Sequence, residues 1–324
     1  MKKIFEIKRQ RSIDEIVEDA FKFFKQHAKS IIKLIWEQNR FIIAGLLLSY
    51  FFYVYYYFGS LNNILKFNGR QYESTSEIDI FTPGFALVAM FLFIFSIIFL
   101  PRFFSTITGY IKYYRSDNQD TDIDKVKNFV QQKFWGLIGL TIVLFLLIIL
   151  LGVISFIIGG LLSAAGSAGA FLIIALALPA LAYAIIYFTM VYYVYVFEDI
   201  DVSTALSKTK DYLKHRFWFS FGVMLVMSII IGLIGMVFNA PVSIYIMVKM
   251  LMLAKEPDTI SQSYSGDLFI ALLSVISYVA QLILRILFII ALSFLYYSLK
   301  EYHTGEGLQD KIDQIGSEYE NRDN

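Results

Sequence analysis

Chemistry, if this chain performs any, has few residues to draw on. Its three histidines, His27, His215 and His303, are far apart, and none forms a His-x-x-x-His or Glu-x-x-His pair. A helical metal site therefore has no starting material, and surface positions are the expectation for all three. There is no cysteine, which removes disulfides, thiolate ligands and thiol nucleophiles. Glu198, Asp199 and Asp201 form a compact acidic turn without a histidine. Acids at a helix start offset its dipole, so capping is the favoured role, with docking of a soluble partner beside Lys208, Lys210 and Lys214 as a further use. Gly159, Gly160, Gly166 and Gly169 lack the Gly-Lys-Ser/Thr of a phosphate loop and point to a tight hairpin or close helix packing.

One constellation carries a functional claim. Ser274, Tyr278, Gln281 and Arg285 recur every three or four residues and fall on one helical stripe. Arg285 lies in an apolar run, where a charge costs about 2.5–3.5 kcal/mol on insertion scales and faces the bundle interior, water or a partner. The stripe is a candidate ligand site for a phosphate or carboxylate headgroup. The competing structural role is an arginine bonded to backbone carbonyls and Gln281, or snorkelling to the interface.

The elements that position these residues are apolar helices. Hydrophobic residues make up 57% of the 324 and aromatic residues 17%, against about 45–50% apolar in a soluble domain. Six runs, 41–58, 84–101, 136–158, 171–196, 217–238 and 268–298, approach or exceed the ~20 residues that cross a hydrocarbon layer. Acids at Asp14, Glu15, Glu18 and Asp19 argue against a cleaved secretory signal, so the run from Phe41 acts as an uncleaved insertion signal.

Lysines and arginines number 23 in residues 1–40, 102–135, 197–216 and the tail after 298, against 4 in the alternate connections. Basic residues are retained on the cytoplasmic side, which places both termini there. Residues 241–255 threaten this count; their apolar part is short and broken by Lys249. They are expected to form an outer-face interfacial or re-entrant helix.

Trp36, Trp135 and Trp218 are the only tryptophans, and each falls where a charged segment meets the first, third or fifth run. Indole favours the membrane–water boundary, so all three are expected to be interfacial anchors. Ahead of each lies an amphipathic helix, beginning near Ile13, Ile123 and Val202, with Ser12, Asp122 and Asp201 as caps. Such helices lie in the headgroup plane, or pack on one another beneath the bundle and close its cytoplasmic end, and both can hold at once.

The expected fold is thus all-α and polytopic: six transmembrane helices as three hairpins, each preceded by a cytoplasmic amphipathic helix. Residues 1–40 are the N-terminal helix, 41–298 the membrane domain and 299–324 a polar tail.

Two stretches resemble a known family. They are Arg11-Ser12-Ile13-Asp14-Glu15-Ile16-Val17-Glu18-Asp19-Ala20-Phe21 and "VFEDIDVSTALSKTKDYLKHRFW", 196–218, where Glu198, Ala205, Leu206, Thr209, Leu213 and Phe217 match the usual positions. Together they resemble the integral membrane domain attached to some bacterial glycerophosphodiester phosphodiesterases, and its stand-alone relatives. Tyr193 and Tyr195 stand near a position often held by proline, and Thr209 replaces the usual Ser. The resemblance implies a six-span bacterial inner-membrane fold. It does not imply phosphodiesterase activity, which belongs to a separate soluble barrel.

The expected function is non-enzymatic and without cofactor: organising or supporting protein partners or lipids at the cytoplasmic face of the bacterial inner membrane. The alternative is a transporter or lipid-handling protein using a polar cavity around Arg285. With a net charge of only +1, no field attracts nucleic acid.

Overall fold

The computed structural model describes residues 6–7, 9–68, 83–115, 120–163, 166–255 and 264–305. Seven α-helices occupy nearly all of them: α1 (Ile13–Asn68), α2 (Pro83–Lys112), α3 (Ile123–Ser163), α4 (Gly166–Glu198), α5 (Val202–Leu213), α6 (Phe217–Lys255) and α7 (Tyr264–Thr304). Six are long and apolar enough to cross a membrane, all except α5. Two-residue strands β1 (Tyr114–Arg115) and β2 (Asp120–Thr121) pair antiparallel between α2 and α3, with Tyr114 opposite Thr121.

The expected caps start three helices. Glu15 accepts from the backbone N–H of Ser12 at 2.9 Å, one half of a capping box. Asp122 accepts from the N–H of Lys125 at 3.2 Å and Asp201 from that of Thr204 at 3.1 Å.

The three hairpins are also present, each fixed by contacts whose numbers fall on one strand of helix as they rise on the other. Gly45 meets Phe95 and Tyr53 meets Phe85 between α1 and α2. Gly136 meets the Tyr195 hydroxyl and Thr141 the Tyr192 hydroxyl between α3 and α4. Asn239 bonds Ser277, and Tyr245 packs on Phe269, between α6 and α7. Gly166, at φ 64, occupies the left-handed conformation at the start of α4, which glycine adopts without strain.

Two features differ from the sequence-based layout. The first and second amphipathic segments are not separate helices but the N-terminal parts of α1 and α3. No proline or glycine separates Ile13 from Phe41, so a change in which face is buried does not interrupt the hydrogen-bond ladder. Only α5 stands alone, ended by a tight turn in which Arg216 N–H donates to Leu213 C=O at 3.2 Å. Likewise, the separate helix suggested for 241–255 is the C-terminal part of α6, which runs unbroken through Pro241. Where water is absent a helix keeps its ladder despite the one bond that proline removes, because every other backbone group still needs a partner.

The chain divides into two compact units. Unit 1 comprises Met1–Ile31, Phe104–Ser228 and Leu287–Asn324; unit 2 comprises Ile32–Phe103 and Ile229–Ile286. Unit 1 is centred on the last part of α7, where Ile290, Phe294, Leu295 and Tyr296 are buried. Phe23 of α1 packs edge-on against Phe294, ring centroids 5.6 Å apart, and Ile16, Ala20 and Ile31 of α1, Ile107 and Ile111 of α2, and Val126, Phe129 and Val130 of α3 are buried in the same unit. A Cβ on Gly109 would meet the Phe129 ring at 2.8 Å, so α2 and α3 approach through a position without a side chain. The apolar stripes of the amphipathic segments are therefore spent on protein packing. The packed arrangement is thus present in the structure.

Unit 2 is built from the remaining parts of α1, α2, α6 and α7. Val54 and Phe58 pack on Ile270 and Ala271, surrounded by Tyr50, Tyr53, Tyr55 and Tyr245.

Candidate functional site: polar anchors converging on α7

Both family-like stretches fold onto the last part of α7, inside unit 1. In the acidic turn, α4 ends at Glu198, and Asp199 adopts a left-handed backbone at φ 55. Short-chain Asp tolerates this conformation better than most residues, and it turns the chain into α5. Glu198 Oε2 accepts from the Lys208 ammonium at 2.6 Å. Its Oε1 accepts from the hydroxyls of Tyr212 at 2.6 Å and Tyr296 at 3.1 Å. One carboxylate thus ties α4 to α5 and α7, while Phe197 stacks on Tyr296 with centroids 4.9 Å apart. Asp199 accepts from Lys112 and, at 2.9 Å, from Lys133, joining α2 and α3 to the same turn.

Burial opposes ionisation of Asp199, but the bonds from Lys112 and Lys133 outweigh it and hold the carboxyl below its usual range. Asp201 falls to about 2, chiefly through the Thr204 hydroxyl and then the Thr204 N–H. Capping describes Asp201 well. For Glu198 and Asp199 it is a correction: they are cross-links between helices. The other family-like positions serve the same packing. Ala205, Thr209 and Leu213 form the buried face of α5, and the Leu206 carbonyl accepts from Tyr187 at 2.8 Å.

The N-terminal stretch makes a second fastening. The Arg11 side chain is 0% exposed. Its Nε donates to Asp19 at 2.9 Å, Nη1 to the carbonyls of Ile7 (2.8 Å) and Arg9 (3.3 Å), and Nη2 to the carbonyl of Glu6. Its guanidinium also lies over the Phe294 ring, 4.8 Å from the centroid. The Arg11 N–H donates to Ser298 Oγ at 3.0 Å. A fork of donors that folds the preceding chain around itself is a task for arginine, which lysine cannot copy.

His27 corrects the surface expectation. It is buried, its Nδ1 3.1 Å from the Tyr110 hydroxyl, with Phe23 and Tyr114 rings at 4.5 and 5.1 Å. His215 and His303 are exposed; His303 Nε2 lies 3.2 Å from the Tyr212 carbonyl. Among the described residues no group of three or more His, Asp or Glu is arranged to hold a metal. A cavity of about 210 Å³ is lined by Lys112, Tyr113, Tyr114, Asp122 and Lys125. Its lysines are already engaged, Lys112 by Asp199 and Lys125 by Asp122 at 3.6 Å.

The Arg285 stripe is only partly gathered, in unit 2. Gln281 donates to Asn239 at 3.1 Å beside Ser277, Tyr278 stacks on Tyr50 at 4.6 Å, and Ser274 is buried. Arg285 itself is exposed. Nor is it central. The Tyr50–Tyr278 stack sets α7 level with α1 so that Arg285 matches Ile43, about 3 Å from Phe41 where the apolar run of α1 begins.

The buried charge in unit 2 is elsewhere. Lys249 of α6 pairs with Asp267 of α7 at 2.5 Å, with side chains 9% and 8% exposed. Sequence reasoning treats Lys249 as a mere interruption and leaves Asp267 just outside the sixth run. The missed signal is that Lys249 and Asp267, of opposite charge, flank one helix connection near the ends of two apolar runs. Trp36, Trp135 and Trp218 are 54%, 75% and 77% exposed, which excludes them from the core.

No family model matches the chain, and no curated protein or solved structure matches it either. Its fold and composition define a multi-pass helical membrane protein.

Proposed function

We propose that this chain is a non-enzymatic protein of the bacterial inner membrane that organises or supports protein partners or lipids at the cytoplasmic face, related to the membrane domain that its two stretches resemble. The observation that carries this reading is the outward face of α1 in unit 1. Lys22, Lys25 and Lys29 are exposed there, opposite the buried stripe of Ile16, Ala20, Phe23 and Ile31. On α5, Lys210 and Lys214 are likewise exposed while Ala205, Thr209, Tyr212 and Leu213 are buried. Two helices whose apolar sides are occupied thus present cations, a surface suited to acidic partners or anionic lipid. The carboxylates that resemble a reaction centre are committed to structural bonds.

Gentle solubilisation of the tagged full chain, followed by identification of what copurifies, tests the role. A stoichiometric protein or lipid that is lost when Lys22, Lys25 and Lys29 are changed to Gln is expected. A clean monomer carrying neither would overturn it. Orientation has its own test: reporters fused after residues 75, 165 and 260 are expected to behave as periplasmic. Cytoplasmic behaviour at any of the three rejects the assignment of faces.

A further inference from the structure

Two arginines of unit 2, Arg40 on α1 and Arg285 on α7, have no counter-charge among the described residues. Their helices run antiparallel, joined by the Tyr50–Tyr278 stack and by Val54 and Phe58 against Ile270 and Ala271. Counted from the stacked tyrosines, Arg285 is seven residues along α7 and Arg40 ten residues back along α1. The two Cα atoms therefore differ in height by only about 5 Å, within the reach of either side chain. Seven residues are two helical turns, so Arg285 returns to the Tyr278 face and lies within electrostatic reach of that hydroxyl.

Both side chains are exposed. Among the described residues the acids of unit 2 are Glu37 and Asp267, and each already faces a lysine, at 3.7 and 2.5 Å. The contact Arg40 makes is with the Phe41 ring, 4.8 Å from its centroid. Around the pair the outward surface is apolar, with Phe41, Leu48 and Ile283 exposed. A guanidinium does not shed its charge, and at the rim of an apolar slab, where water is scarce, an anion is a favourable partner. A phosphate accepts two forked donors with good geometry, and a lipid tail would cover the neighbouring apolar surface.

We infer that Arg40 and Arg285 together hold the phosphate of an anionic phospholipid at the end of unit 2 where α1 enters and α7 leaves. The inference rests on the reading above, in which this end meets the cytoplasmic leaflet.

Native mass spectrometry of the full chain in mild detergent tests it, with phosphatidylglycerol, phosphatidylethanolamine and inorganic phosphate as separate probes. The wild type is expected to retain phosphatidylglycerol over phosphatidylethanolamine. Arg40→Gln and Arg285→Gln should each weaken that binding about tenfold, the double variant should abolish it, and Arg285→Lys should fall between. Equal retention by wild type and the double variant, with matching thermal unfolding in detergent, would overturn the site. Displacement of the lipid by millimolar inorganic phosphate would overturn the lipid as its source. If the reporters report the expected faces but the wild type keeps no phosphatidylglycerol, this inference falls alone; cytoplasmic reporters would remove the reading beneath it.

Discussion

Asp267→Asn is expected to destabilise unit 2 by about 3–5 kcal/mol, the cost of leaving one member of a buried ion pair without its partner. Lys249 and Asp267 are enclosed, with the Phe58 ring 5.7 Å from the ammonium, so water cannot replace the lost carboxylate. Lys249→Met should also destabilise, since it removes the ammonium from beside a carboxylate only 8% exposed. The double variant Lys249→Met/Asp267→Leu is expected to recover most of the loss, because two apolar side chains need no compensation. Unfolding in mixed micelles as the denaturing detergent fraction rises gives all four corners of the cycle. Additive losses in the double variant would show that the two charges do not depend on each other.

The second large effect is expected at Arg11. Arg11→Lys keeps the positive charge but replaces the fork by one ammonium, which cannot serve Asp19 and three carbonyls at once. With the side chain wholly enclosed, carbonyls left without donors cost about 1–3 kcal/mol, so a loss of about 2–3 kcal/mol is expected. Hydrogen exchange should quicken across residues 9–20, where Asp19 and Ser298 hold the start of α1. A control is provided by Lys22 and Glu18, an exposed pair whose removal should cost no more than about 0.5 kcal/mol. Unchanged exchange in Arg11→Lys would mean that charge alone fastens the segment.

These two sites also mark the limit of what the sequence discloses. The caps at Ser12, Asp122 and Asp201 are legible because each bond spans three residues and depends on residue types in a fixed order. The six apolar runs and their pairing into hairpins are legible because neighbouring helices joined by short connections have few other ways to pack. The fastenings are different. Arg11 meets Ser298 across 287 positions and Glu198 meets Tyr296 across 98, distances at which spacing carries no information. The enclosure of His27 depends on Tyr110 of α2 and Tyr114 of β1, so its own neighbourhood, rich in lysine, points to a surface. The first two amphipathic segments are legible as faces but not as separate elements, since nothing in the sequence between Ile13 and Phe41 marks a break, whereas the third is the separate helix α5. The Arg285 stripe was periodic, yet periodicity alone does not say at what height on the bundle a residue lies.

Closure of unit 1 by α7 has a consequence for synthesis. The start of α1 leaves the ribosome before the other helices, and Phe294, Tyr296 and Ser298 emerge only after all the intervening helices have been made. At about 5–20 residues per second this interval is on the order of tens of seconds. Throughout it Ile16, Ala20, Phe23 and Ile31 lack their final cover, and Arg11 and Glu198 lack the groups that complete their bonds. The earlier helices must wait, inserted yet unfastened, for the last one to arrive.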